Sequence, residues 1–278
     1  MNDTTSFPAL IVILVWLGIS TATATARAAE LTPGEQAFQK ALGRRCQVIP
    51  LWTADTIPDE VKPLGAEQVG MKQGRPGTMQ VRNVSQPSLT IASPPAAKNT
   101  GVALVLCSGD GYGSIAIEGV VESARWFNAR GVTVVWLKYR VPKRNQGLVM
   151  YHHALQDAQR AVGILRSRAA EWKIDPEKIG VGGFSAGGHL ATTIAMQHEP
   201  RLYKAVDASD AVSCRPDFSV LVNPSYLTDP ILSRKLVSEL QIVELSAKKT
   251  PPTFTASPDK TSSPSVPWNT HWRCAKRK

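Results

Sequence analysis

This 278-residue chain lacks several features that would assign it to a common functional class. Its four cysteines, Cys46, Cys107, Cys214 and Cys274, are not spaced as a zinc knuckle or as a CxxC redox pair, so we expect isolated thiols and no metal site. No basic helix interleaved with aromatic residues occurs, and a good share of the formal net charge of +10 lies near the C-terminus. Nucleic-acid binding is therefore not expected.

An apolar run long enough to span a membrane is also missing from the N-terminus. The run Ala9–Ile19 is shorter than the roughly 20 residues that cross a bilayer, and it has the length of a signal-peptide hydrophobic region. Ala26 and Ala28 suit a cleavage site, although the preceding segment has no Lys or Arg and carries Asp3. We expect a cleaved signal peptide at residues 1–28 rather than an uncleaved anchor. The mature chain would then be secreted or periplasmic, with no stable membrane span.

The composition of the remaining chain is that of a globular protein, with 43% hydrophobic and 19% charged residues. Residues 29–77 are rich in Pro and Gly and predict an extended lead-in with one short helix around Pro33–Leu42. Strands and helices alternate over residues 78–254. Residues 255–278 are rich in Pro, Ser, Thr and Lys, and predict an irregular or disordered basic tail.

The alternation in the central region predicts the fold class. Short continuous apolar runs are typical of buried parallel strands, and helices of 10–20 residues between them indicate βαβ units. We therefore expect an α/β fold, with a mostly parallel sheet and helices on both faces. The clearest strand segments are Gly101–Ser108, Val132–Tyr139, Lys178–Phe184 and Asp217–Pro224.

One motif carries chemistry. Gly183-Phe184-Ser185-Ala186-Gly187 fits G-x-S-x-G, and it lies between a predicted buried strand and a small-residue helix. In that setting the serine occupies a sharp strand-to-helix turn that exposes its hydroxyl at the carboxyl edge of the sheet. Ser185 is therefore the candidate nucleophile, and the amide of Ala186 faces a developing oxyanion.

Two alternatives explain the same glycines without a nucleophile. The first is a glycine-rich turn with no chemistry, and the second is part of a dinucleotide-binding G-x-G-x-x-G. The second alternative is weak because Ser185 stands at the sixth position, where that motif has glycine or alanine. The loop Gly109–Tyr112 favours the nucleophile, because it follows another buried strand and is placed to supply a second oxyanion donor.

Several segments taken in chain order resemble a known family. VALVLCSGDGYG, GVGGFSAGGHLA, SCRPDFSVLVNPSYL and TPPTF are similar to segments of secreted bacterial α/β-hydrolases. The nearest branch is the acetyl xylan/feruloyl esterase-like (BD-FAE-like) carbohydrate esterases, and the resemblance covers about Ile49 to Phe254. It implies an α/β-hydrolase fold, an ester substrate, a serine nucleophile and no metal or organic cofactor.

The resemblance also assigns the oxyanion hole. It implies that Ala186 and the loop residues Asp110 and Gly111 supply the amides. The loop departs from the family pattern Gly-Gly-Gly-Tyr, because Asp110 replaces the middle glycine. A carboxylate pointing toward the oxyanion would repel it, whereas a carboxylate pointing elsewhere would leave the backbone amide available.

The partners of the nucleophile are harder to find. The expected chain order is Ser, then Asp or Glu, then His, and Asp259 and His271 are the residues nearest to those places. His271 is a base only if the tail folds back across the sheet edge. His189 lies on the helix that follows Ser185, where support of the neighbouring loop is the expected role. The remaining histidines are expected to be capping, surface or helix-end groups: His152, His153 and His198.

The sequence after Phe254 shifts abruptly in composition, and the last helix–strand unit of the fold is not recognisable there. This motivates the hypothesis of a frameshift or truncation after that residue, which translation of the other two frames would test. Two functions follow from the sequence. One is a serine esterase that acts on carbohydrate or other small acyl esters, and the other is a catalytically impaired homologue that lacks the triad histidine.

Overall fold

The computed structural model describes residues 30–59, 65–143, 147–227 and 251–256. Within these ranges the chain forms ten strands: β1 Gln47–Pro50, β2 Gln68–Met71, β3 Met79–Arg82, β4 Ser88–Ala92, β5 Ala103–Cys107, β6 Ile115–Ala116, β7 Thr133–Lys138, β8 Ile179–Phe184, β9 Phe218–Val222 and β10 Thr253–Ala256. The same ranges contain four α-helices: α1 Pro33–Leu42, α2 Glu118–Asn128, α3 His152–Ser167 and α4 Ala186–Met196.

The strands form two sheets. The main sheet has the order β1-β4-β7-β5-β8-β9-β10, and a small sheet has the order β2-β3-β6. In the main sheet β4 is antiparallel to both of its neighbours, whereas β7, β5, β8, β9 and β10 pair in parallel. The parallel strands are those that the apolar runs of the sequence predicted, because a strand covered on both faces has no polar side to alternate with.

Helices cover both faces of the main sheet. The crossover from β5 through α2 to β7 runs in one direction across the sheet, and the crossovers through α3 and α4 run in the other. Since such connections are right-handed, α2 lies on one face, while α3 and α4 lie together on the opposite face. This confirms the predicted mostly parallel sheet with helices on both faces.

The lead-in is part of this core rather than an extended appendage. Helix α1 forms where the sequence predicted it, and Phe38 on this helix stacks on Trp136 of β7 with ring centroids 4.7 Å apart. Strand β1 is hydrogen-bonded to β4 at the edge of the main sheet. Buried side chains of the lead-in, residues 29–77, and of the main sheet thus form one hydrophobic core.

A buried ion cluster fixes the same junction. The Lys138 ammonium on β7 lies 3.0 Å from a Glu35 carboxylate oxygen and 2.9 Å from one of Glu67, and its side chain is fully buried. The Lys138 charge lowers the pKa of Glu35, although burial of that carboxyl acts in the opposite direction. A buried charge is costly without such partners, so two lead-in carboxylates are required by a lysine of the main sheet.

The remaining expectations concern the chain ends and the thiols. Strand β10 continues to Ala256, past the expected boundary at Phe254, and the tail beyond it lies outside the described residues, as does the expected signal peptide. No helix among the described residues has the length and apolar character needed to cross a membrane. Cys46, Cys107 and Cys214 are free thiols, and Cys274 lies outside the described residues.

Candidate active site

Ser185 occupies a one-residue turn between a strand and a helix. Strand β8 ends at Phe184 and α4 begins at Ala186, and the backbone of Ser185 has φ 52° and ψ −120°. A residue with a side chain rarely adopts this conformation, and holding it costs roughly 1–3 kcal/mol. The structure therefore contains the strained turn that the G-x-S-x-G motif predicted.

Close approach of backbone segments explains two of the glycines around this turn. A Cβ on Gly187 would overlap the carbonyl oxygen of Cys107, at the end of β5. A Cβ on Gly109 would lie 2.5 Å from the Phe184 carbonyl oxygen and 3.0 Å from the Ser185 Cβ. The absence of side chains lets α4 and the loop after β5 pack directly against the turn that carries the nucleophile.

The Ser185 hydroxyl is half-buried and has a second serine beside it. Its Oγ lies 3.0 Å from the Oγ of Ser225, and the Ser225 amide donates to the Ser185 carbonyl oxygen at 3.1 Å. Ser225 follows β9, the strand next to β8 in the sheet. The carboxyl ends of parallel neighbours thus bring the two hydroxyls together.

The loop after β5 is the segment that the sequence predicts as the second part of an oxyanion hole. Gly109, the first residue of this loop, packs against the Ser185 turn. Ala186 is the first residue of α4, and the first amides of a helix have no intrahelical acceptor. Together with the positive end of α4, these donors favour negative charge beside Ser185.

The carboxylate of Asp110 is held by neighbouring side chains. It is in hydrogen-bond contact with the Lys72 ammonium and with the Ser114 hydroxyl. The backbone of Asp110 has φ 139°, a conformation that favours glycine, and Gly111 follows with φ 65°. The side chain of Asp110 therefore has partners of its own, as one of the two alternatives for this residue required.

His189 contacts the loop Gly109–Tyr112 through the Tyr112 side chain. Its Nδ1 lies 2.8 Å from the Tyr112 hydroxyl, and the imidazole is only 2% exposed. Burial raises the pKa of Tyr112 well above its ordinary value, so the phenol stays protonated. Tyr139 also donates to the Ser108 carbonyl oxygen at 2.6 Å. These contacts agree with the predicted supporting role of His189 and fix both ends of the loop.

The other predicted histidines and acids have different outcomes. His153 is buried, which corrects its assignment as a capping or surface group, and burial lowers its pKa to about 4. It is buried because α3 packs along the sheet from its first turn. His152 lies 3.1 Å from an Asp59 carboxylate oxygen. Asp259 and His271 lie outside the described residues, so their assignments as acid and base stay predictions.

Sequence reasoning missed three residues of the candidate site: Ser225, Tyr226 and Lys72, the last of which contacts Asp110. The predicted strand that ends near Pro224 was a usable signal for Ser225 and Tyr226, because residues that follow parallel strands collect at the carboxyl edge. Tyr226 is 45% exposed, its ring centroid lies 6.0 Å from that of His189, and its hydroxyl lies 3.6 Å from the position of a Cβ on Gly111. Lys72 gave no signal, because it follows β2, a strand of the small sheet, and lies far from Asp110 in the sequence.

Comparisons with known proteins identify the family of this chain. Residues 89–231, just over half of the chain, match the BD-FAE family model. The acetylxylan esterase of Xylanibacter ruminicola is 29% identical over 138 residues, which is 49% of this chain and 25% of that protein. Endo-1,4-beta-xylanase B of Butyrivibrio fibrisolvens is 29% identical over 111 residues, which is 40% of this chain and 17% of that protein. The chain thus spans a quarter or less of these two relatives.

A solved structure supports the fold assignment. The acetyl ester-xyloside bifunctional hydrolase of Caldicellulosiruptor lactoaceticus superposes with a TM-score of 0.53 and 27% sequence identity, covering 76% of this chain and 74% of that chain. Together with the strand order, this similarity shows that the main sheet and its helices form an α/β-hydrolase fold.

Proposed function

This chain belongs to the BD-FAE family, and we propose that it is a serine carboxylic ester hydrolase that removes acyl groups from carbohydrate esters. The observation that carries the proposal is the backbone of Ser185, at φ 52° and ψ −120° between β8 and α4. A turn with no chemistry has no reason to retain this strain at a serine rather than at a glycine.

The reaction follows from the groups around that turn. The Ser185 Oγ attacks the acyl carbonyl carbon and loses its proton to a base, and the carbonyl oxygen becomes an oxyanion. The amides of Ala186 and of the loop that includes Asp110 and Gly111 stabilise that charge. The tetrahedral intermediate then collapses, the sugar alkoxide leaves with a proton, and an acyl-enzyme remains. Water releases the acid and restores the serine hydroxyl.

The nucleophile needs a base and an acid as partners. A serine at its ordinary pKa is a poor nucleophile unless a base accepts its proton. By chain order His271 is assigned as that base and Asp259 as the acid that orients it. Ser225 is placed to hold the Ser185 hydroxyl in a fixed rotamer before substrate arrives.

The carbohydrate part of the substrate is supported by two observations. The relatives are named for acetylxylan ester and xyloside chemistry. In this chain, Tyr226 presents an exposed aromatic ring beside Gly111 and His189. An aromatic face next to the nucleophile suits the apolar face of a pyranose ring. An acetylated polysaccharide lies outside the cell, which fits the proposed export through the signal peptide at residues 1–28.

Hydrolysis of p-nitrophenyl acetate by the full chain, compared with Ser185→Ala, tests the proposal. We expect a rate in the parent protein that the variant lacks. A fluorophosphonate probe gives a second readout, because it forms a covalent bond with an activated serine. Equal hydrolysis by both proteins, or labelling that survives Ser185→Ala, would contradict the assignment of the nucleophile. A folded parent protein with neither activity would favour the catalytically impaired homologue.

A further inference from the structure

Residues beside both edge strands of the small sheet contact the loop Gly109–Tyr112, here called the oxyanion loop. Strand β2 ends at Met71 and Lys72 follows it, whereas β6 begins at Ile115, directly after Ser114. Strand β3 lies between them and pairs with both. Lys72 follows one edge strand of the small sheet, and Ser114 precedes the other. Both side chains contact the carboxylate of Asp110.

This carboxylate sits in a set of donors that is largely shielded from solvent. The side chain of Asp110 is 11% exposed and that of Lys72 is 26% exposed. The amide of Gln80 on β3 is 3.1 Å from the second carboxylate oxygen, in the orientation that also satisfies Arg82. The Asp110 carboxylate is thus contacted by three side chains, those of Lys72, Ser114 and Gln80.

The position of Asp110 gives this contact a consequence for the reaction. Asp110 lies between Gly109, which touches the Ser185 turn, and Gly111. An uncompensated carboxylate here would repel the oxyanion, because like charges a few ångströms apart oppose each other strongly where solvent is partly excluded. In addition, the φ of 139° at Asp110 is one that a residue with a side chain keeps only when its surroundings hold it there.

We propose that Lys72 is a positioning residue for the esterase reaction, which acts through Asp110 to hold the oxyanion loop and to neutralise its carboxylate. Lys72 does not touch the reacting atoms. The inference rests on the proposed function, and it assigns the small sheet a role as the support of the oxyanion hole. It also explains how a chain with Asp110 at this place keeps a usable loop.

The test is a charge-repair experiment on p-nitrophenyl acetate hydrolysis. Lys72→Met should lower kcat about tenfold or more with little change in KM, since the interaction matters mainly in the transition state. Asp110→Asn combined with Lys72→Met should recover most of that loss, because the unpaired charge is gone. Lys72→Arg should also retain most of the activity. Lys178→Met is the matched control. It breaks a 2.9 Å ion pair with Asp175 at the amino end of β8, whereas Ser185 follows the carboxyl end of that strand.

The outcomes separate this inference from the proposed function. Each variant is first checked for a parent-like thermal transition, and Lys72→Gln, which also removes the charge, replaces Lys72→Met if that variant does not fold. An unchanged kcat in Lys72→Met, or a double variant as slow as Lys72→Met, overturns the inference. A parent protein no faster than Ser185→Ala contradicts the proposed function instead. Hydrogen exchange then decides on the loop: amides of residues 109–114 should exchange about tenfold faster in Lys72→Met than in Lys178→Met, and equal exchange overturns the inference.

Discussion

Replacement of the nucleophile by glycine should make the protein more stable than replacement by alanine. Both Ser185→Gly and Ser185→Ala remove the hydroxyl and its 3.0 Å contact with Ser225, so that loss cancels between them. What differs is the backbone at φ 52° and ψ −120°, which glycine adopts readily and alanine does not.

The size of the difference follows from two opposing terms. Relief of the backbone strain favours the glycine variant by roughly 1–3 kcal/mol. The greater freedom of glycine in the unfolded chain favours the alanine variant by about 0.4–1 kcal/mol. The net free energy of unfolding should therefore be about 1 kcal/mol higher for Ser185→Gly, which corresponds to a Tm increase of roughly 2–4 °C for a domain of this size.

Thermal unfolding followed by circular dichroism measures this difference at one pH and one protein concentration. Gly109 lies against the same turn, and neither variant replaces it. A Tm for Ser185→Gly equal to or below that of Ser185→Ala would refute the argument. It would mean that the turn stores no strain, and that the main observation behind the nucleophile assignment is void.

Three further predictions concern packing, pH and substrate. Gly187→Ala forces a methyl group into the Cys107 carbonyl oxygen and should lower the free energy of unfolding by roughly 1–3 kcal/mol, as measured in urea; an unchanged midpoint would contradict the packing. Burial lowers the pKa of His153 to about 4, whereas its pKa in the unfolded chain is near 6.5. Between these two pH values the unfolded chain binds one more proton than the folded protein. The free energy of unfolding should therefore fall as pH falls, by at most about 1.4 kcal/mol per pH unit. His153→Leu should remove that slope, and His152→Leu should not. Tyr226→Ala should raise KM for acetylated xylooligosaccharides several-fold and leave p-nitrophenyl acetate hydrolysis unchanged; equal effects on both substrates would argue against a sugar contact.

Much of the main sheet was predictable because its segments carry local signals. The apolar runs that became β5, β7, β8 and β9 have no polar alternation, and this is the pattern of strands covered on both faces. Helix α1 was placed from its first to its last residue, since Pro33 suits the first helical position and Gly43 ends the helix with φ 81°. The strands of the lead-in were not predicted, because they carry no such local signal. Strand β1 has four residues, and only its pairing with β4 makes it a strand.

The residues of the candidate site also fall into two groups, those with a local sequence signal and those without one. Ser185 was found because the motif and its flanking elements are contiguous in sequence. Lys72 lies 38 positions from Asp110, and Ser225 lies 40 positions from Ser185. No period or spacing links such pairs, so only the assembled sheets reveal them. His153 was misplaced because a histidine at the start of a helix has the same local pattern whether the helix end is exposed or buried.

The buried cluster around Lys138 also sets the order in which the chain can fold during synthesis. At typical elongation rates Glu67 leaves the ribosome roughly 4–14 s before Lys138 of β7, and Glu35 leaves it earlier still. Until then α1 has no Trp136 to stack on, and its carboxylates have no ammonium to pair with. The N-terminal segment must therefore wait unburied as a nascent chain. That interval leaves the segment accessible to chaperones before the core closes over it.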